Sequence, residues 1–242
     1  MLIFVTIGVF IATVLGGLFA LRFKDKLHLI LGFSAGAVVA VALFELLPEA
    51  IELGEGSYEV GFITSLVALG FVIFMIADRF FLLHSHGDDC THEHHQTKRG
   101  YLGAGSISFH SFLDGIVIGL SFQVSPLVGF TVALAVLAHH FSDGLNTVGM
   151  IVKNEGSKSS ALRWLCVNAT APVLGVIASS FFSISSSTLG LLLAIFGGSF
   201  LYIGASDLIP ESHHSHPTKW TTVMTVLGFL VLYVIIGIAE SH

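Results

Sequence analysis

Two stretches of the chain, FHSFLDGIVIG (Phe109–Gly119) and HHFSDGLNTVG (His139–Gly149), share the pattern H-x-F-x-D-G, with the histidines 29 residues apart. On a helix, residues four apart share a face, with Cβ atoms roughly 6 Å from each other. His110 therefore pairs with Asp114, and His139 with Asp143. Both stretches otherwise read as membrane-buried, where an ionised aspartate costs roughly 2.5–3.5 kcal/mol on insertion scales. No lysine or arginine lies within either stretch to offset that cost. A divalent cation would neutralise both carboxylates and accept two imidazoles. Two nitrogens and two oxygens suit a four-coordinate borderline ion such as Zn²⁺, and Fe²⁺ or Mn²⁺ also fits. The plainer explanation is a structural His–Asp pair with the acid protonated, which accounts for one pair more readily than for two.

The elements that must carry these residues follow from composition. The chain is 54% apolar and only 11% charged, against about 25% charge in a soluble domain. That makes it a polytopic membrane protein and gives no basic patch for nucleic acid. A spanning helix needs about 20 mostly apolar residues. Eight stretches qualify: Leu2–Phe23, His28–Ile51, Val60–Leu83, Tyr101–Val124, Pro126–Val152, Ser160–Phe182, Thr188–Glu211 and Thr218–Ala239. His110 then lies about 14 Å along the fourth span, near the middle of the roughly 30 Å hydrocarbon core. The expected fold is all-α, one transmembrane domain over residues 1–242. Cys90 and Cys166 imply no disulfide framework, and the first span reads as a retained helix rather than a signal peptide.

The ten lysines and arginines all lie in or beside the first, third, fifth and seventh connections. Basic residues stay cytoplasmic, so both termini are expected outside. The third connection, 84–100, is the long one. Its HSHGDDCTHEHH tract (His84–His95) holds His84, His86, His92, His94 and His95 with three acids and Cys90. Such a tract reads as a disordered cytoplasmic stretch that captures metal. His213, His214 and His216, after the seventh span, repeat the theme.

A second repeat joins the ends of the second and seventh spans: FELLPEA (Phe44–Ala50) and SDLIPES (Ser206–Ser212). These spans run in opposite directions, as do the fourth and fifth. Inverted repeats around a central site are a transporter signature. Pro48, Pro210, Gly115 and Gly144 are expected to loosen their helices and free backbone carbonyls toward a polar path.

Taken together, HSFLDGIVIG, HHFSDG and GSFLYIGASDLIPE (Gly198–Glu211) resemble the ZIP family of divalent-metal transporters across essentially the whole chain. The resemblance implies a 3+2+3 bundle in which spans 1–3 and 6–8 are related by pseudo-symmetry around spans 4 and 5. It places His110, Asp114, His139 and Asp143 at the primary metal position. Glu45 and Glu49 fall toward the outer mouth, Asp207 and Glu211 toward the cytoplasmic exit, with Asn146 also on the pathway. Two-metal members carry an amide after the span 4 histidine and a glutamate before a span 6 proline; here those places are Ser111 and Ala171. Ser142 likewise replaces a frequent proline. The expected second site is at most weak, drawing on His140, Ser111 and Asn168.

The implied activity is uptake of zinc, with Cd²⁺, Fe²⁺ or Mn²⁺ as further candidate substrates, through the plasma membrane, a bacterial inner membrane. No organic cofactor, no enzymatic activity and no nucleic-acid partner are expected. The bilayer is the surrounding partner, and the family leaves room for a homodimer. Two competing classes are a cation-diffusion-type zinc exporter and an intramembrane zinc hydrolase. The exporter usually has six spans and a soluble C-terminal domain. The hydrolase needs a metal-bound water and a general base, and no His-Glu-x-x-His motif is present.

Overall fold

The computed structural model describes residues 1–22, 27–83, 92–214 and 219–240, all helix and connecting turns with no strand among them. In chain order the helices are α1 (Leu2–Arg22), α2 (Leu27–Val41), α3 (Leu47–Gly54), α4 (Val60–Leu83), α5 (His92–Val124), α6 (Pro126–Lys153), α7 (Lys158–Ser179), α8 (Ser186–Tyr202), α9 (Ile209–His214) and α10 (Lys219–Glu240). A π-helical turn, Ala42–Leu46, joins α2 to α3, and a second, Ile203–Leu208, joins α8 to α9. Each of those pairs thus forms one continuous segment. Among the described residues seven segments are long and apolar enough to cross a membrane. The eighth is α6, if its two halves on either side of a break between Leu134 and His139 count as one span.

The helix ends follow local chemistry. The Ser157 hydroxyl accepts from the Ser160 N–H and starts α7, and Ser185 does the same for Thr188 at the start of α8. Before α6, the Ser125 hydroxyl accepts from Val128 N–H, and Pro126 fills the first turn, where its missing N–H costs nothing. The one large departure from hydropathy is α5. It begins at His92, nine residues before the expected Tyr101. The segment HEHHQTKRG is too polar to read as a span, but it lacks proline and is rich in helix formers, so the helix continues through it. His92, His94 and His95 are therefore on a helix rather than in an irregular tract. His84, His86 and His216 lie outside the described residues.

The described helices pack as two compact units. The first combines α1, the end of α4 from Ile76, α5 up to Leu120, α6 from His140, and α7. The second combines α2, α3, α4 up to Met75, the residues Ser121–His139, and α8 to α10. Within the second unit, α2 packs on α10 and on the second π turn, and α3 packs on α8. Only 11% of the Val60–Ala77 stretch of α4 is buried, which leaves that helix an apolar surface suited to lipid.

Lipid removes the hydrophobic drive between helices, so close backbone approach at small residues takes its place. In the first unit a Cβ on Gly115 would meet the Pro172 carbonyl oxygen, and one on Gly175 the Phe112 carbonyl oxygen. Likewise a Cβ on Gly16 would meet the Phe141 carbonyl oxygen, and one on Gly144 that of Thr13. In the second unit, Gly36 with Gly228 and Gly70 with Gly198 make the same reciprocal arrangement. Gly115 and Gly144 were expected to loosen their helices. Instead both sit in unbroken α-helix, and their absent side chains admit a neighbouring helix. The prolines do differ. Beside Pro48, the Leu47 N–H reaches back five residues to the Ala42 carbonyl, and beside Pro210 the Ile209 N–H does so to Gly204. Proline lacks an N–H and its ring clashes with the carbonyl four residues back; a wider π turn accommodates that.

Candidate metal centre

Each H-x-F-x-D-G stretch places its acid on one face of the helix and its glycine a step round on another. Against Gly115 lies α7, and against Gly144 lies α1, so the helix backs are fixed and the His/Asp faces are left to one another. His110, Asp114, His139 and Asp143 are all buried, and each offers one ligand atom, with those atoms all within 4.8 Å of one another. His139 belongs to the same half of α6 as Asp143, the stretch His139–Val152. Four ligands at zinc bond lengths around a tetrahedron stand about 3.4 Å apart. Small side-chain rotations would close the cluster to that size.

The charges are arranged around His140, whose own exposure is 0%. Its Nε2 lies 3.7 Å from Asp114 Oδ2, and its Nδ1 lies 3.8 Å from Asp143 Oδ2. His110 Nε2 lies 3.6 Å from Asp114 Oδ1. All three separations exceed hydrogen-bond length yet are short enough for strong electrostatic coupling in a site without water. His139 also meets the edge of Phe200, ring centroids 4.5 Å apart. Such a contact limits how far the imidazole can swing.

The other residues singled out by sequence have different settings. Ser111 and Asn168 are fully buried and bonded to each other, the Ser111 hydroxyl donating to Asn168 Oδ1 at 2.7 Å. Asn168 in turn donates from Nδ2 to Thr147 Oγ1 at 2.8 Å. Thr147 donates to the Asp143 carbonyl at 2.7 Å. Asn146 is partly buried on α6. Glu45 is buried in the first π turn, and Glu49 is half-buried on α3. Asp207 lies in the second π turn and Glu211 on α9, with His213 and His214 after it. Those acids belong to the second unit, whereas His110, Asp114 and Asp143 belong to the first. Thr147 escaped the sequence reading altogether. Its only signal is a position four after Asp143, on the same face.

A multi-span helical membrane protein with two histidines and two aspartates gathered in its apolar interior is in the class of membrane proteins that handle metal ions. The ZIP Zinc transporter family profile matches residues 83–236, more than half of the chain, and the chain belongs to that family. It is similar to the zinc transporter ZupT of Shigella dysenteriae, 27% identical over 244 residues, covering 95% of this chain and 94% of the relative. It is similar also to the zinc transporter YKE4 of Saccharomyces cerevisiae, 24% identical over 254 residues, covering 88% and 72% of the two chains. A match to the zinc transporter foi of Drosophila melanogaster, 29% identical over 121 residues, covers 50% of this chain but only 17% of that protein.

Proposed function

We propose that this protein carries divalent metal ions, zinc foremost, across the plasma membrane into the cytoplasm, as one transporter built from both units. In this reading His110, Asp114, His139 and Asp143 bind the ion in transit. The observation that carries it is the gathering of those four ligand atoms within 4.8 Å, buried among apolar helices. Two carboxylates match the charge of one divalent ion, and the imidazoles favour zinc over magnesium or calcium. The membrane is a bacterial inner membrane, crossed eight times with both termini outside. The clustering of basic residues in the odd-numbered connections supports that orientation. Glu45 and Glu49 then receive the ion from outside, Asn146 flanks the centre, and Asp207 and Glu211 pass it toward the cytoplasm. One ion occupies the centre at a time, with His140 between the carboxylates rather than in a full second site.

The test is zinc uptake by purified protein in proteoliposomes, with Cd²⁺, Fe²⁺ and Mn²⁺ as competitors. Saturable uptake that Cd²⁺ inhibits, and Mg²⁺ does not, is the expected result. Metal-independent hydrolysis of a lipid or peptide, with no flux, would refute it.

The histidine tracts have an auxiliary place in this scheme. They lie at or beyond the ends of the spans, so they tune the local metal supply without forming the path. Replacing His84, His86, His92, His94, His95, His213, His214 and His216 with serine should leave maximal uptake within about twofold while reducing zinc bound per protein. Complete loss of flux in a well-expressed variant would show the tracts to be part of the path.

A further inference from the structure

We infer that Asn168 is a positioning residue of the metal centre: it joins Ser111 on α5 to Thr147 on α6 and so sets the spacing between the two His-x-x-x-Asp pairs. The inference rests on the proposed metal-binding role of those pairs. Its basis is a hydrogen-bond chain with a single direction. Ser111 gives its one hydroxyl proton to Asn168 Oδ1. Asn168 gives an amide proton to Thr147 Oγ1. Thr147 gives its one hydroxyl proton to the Asp143 carbonyl. All three side chains have 0% exposure, so no water competes for them.

The connection falls where the centre needs it. Ser111 follows His110 directly and precedes Asp114 by three residues. Thr147 sits one turn beyond Asp143 and is bonded to that residue's own backbone. Neither α5 nor α6 can shift along the other without breaking a bond to Asn168. The amide alone does this. A hydroxyl at position 168 has a single proton and a shorter reach, and a carboxylate has no proton to give Thr147. The same bonds take Ser111 and Asn168 out of the set of metal ligands. The Asn168 oxygen that would face an ion already accepts from Ser111.

The glycine contacts leave this task open. Gly115 against α7 and Gly144 against α1 fix how deeply each helix packs. They place no atom between α5 and α6. Asn168 supplies that cross-tie from α7, the helix already seated on Gly115. Partners that orient ligands characteristically contribute 10–100-fold to metal affinity, and a helix-spacing residue falls in the same range.

The experiment compares Thr147→Val, Thr147→Ser and Ser111→Ala in the full-length protein in detergent. Valine keeps the shape of threonine and removes the hydroxyl; serine keeps the hydroxyl. Three quantities are read: zinc affinity, the visible absorption of bound Co²⁺ as a reporter of ligand geometry, and the melting temperature. Thr147→Val and Ser111→Ala should each weaken zinc binding about 10-fold and alter the Co²⁺ spectrum. Thr147→Ser should restore both to near the unmodified values. The two losses should be less than additive when combined, because both act through Asn168. A lowered melting temperature with unchanged zinc affinity and Co²⁺ spectrum would overturn the inference and leave a merely structural bond chain. If Thr147→Val fails to fold, Ser111→Ala decides by the same readouts. Should the unmodified protein bind neither zinc nor Co²⁺, the metal-binding proposal itself falls, an outcome distinct from unaltered binding in the variants.

Discussion

Asparagine at Asp114 should abolish saturable zinc uptake. Asp114 is the most enclosed carboxylate of the centre, with 0% exposure, and it faces two imidazoles, those of His110 and His140. Asparagine preserves its shape and removes its charge. A divalent ion would then meet one carboxylate in a region without water, where uncompensated charge is most costly. Ligand-orienting groups alone contribute 10–100-fold to metal affinity, so loss of a charged ligand should weaken zinc binding by at least about 100-fold. His110→Ala should act in the same direction. Cys166→Ser, at an exposed position on α7, should retain uptake and serves as the control. Uptake by Asp114→Asn at the unmodified rate and affinity, at equal expression, would remove Asp114 from the site.

The second large effect is on folding. Alanine at Gly144 would press its Cβ onto the Thr13 carbonyl of α1 and against the Gly17 N–H beside it. Backbone cannot rotate away as a side chain can, so α1 and α6 must separate. Overpacking of this kind costs about 1–3 kcal/mol and more where the backbone is rigid. A fall in melting temperature and in zinc affinity should appear together, since Asp143 moves with its helix. Gly149, five residues on, has nothing within 4 Å of its would-be Cβ. Alanine there should be neutral or stabilise the helix by up to about 1 kcal/mol. Equal behaviour of the two variants would contradict the packing described between α1 and α6.

These two predictions differ in how far sequence alone could reach them. The His/Asp pairs were legible because i, i+4 spacing is a property of one helix and needs no partner. The spans were legible because length and apolarity are local. Asn168 was visible as a polar residue in an apolar span, but its bonds run to residues 57 positions before it and 21 before it. No periodicity reports such pairings. Gly144 illustrates a different gap. In sequence a glycine signals either freedom or room, and only the helix packed against it shows which. The start of α5 was missed for a third reason. Hydropathy marks where a helix leaves the apolar layer, not where its hydrogen bonding ends. The grouping of helices into two units was not legible, because every span is apolar enough to pack with any other.

The paired π turns have a consequence for ancestry. A π turn corresponds to one residue inserted into an α-helix, and each residue advances an α-helix by about 100°. In both acid-Leu-x-Pro-Glu copies the insertion stands at the same place, closing on the residue before the proline. Two independent insertions at matched positions in oppositely directed segments would be a coincidence. A single insertion made before the gene segment was duplicated explains both. The phase shift is then older than the repeat, and each copy has kept it. Removing one residue from either turn would wind Pro48–Glu49, or Pro210–Glu211, about 100° away from its inherited face, undoing in one half of the chain a choice made when there was only one half.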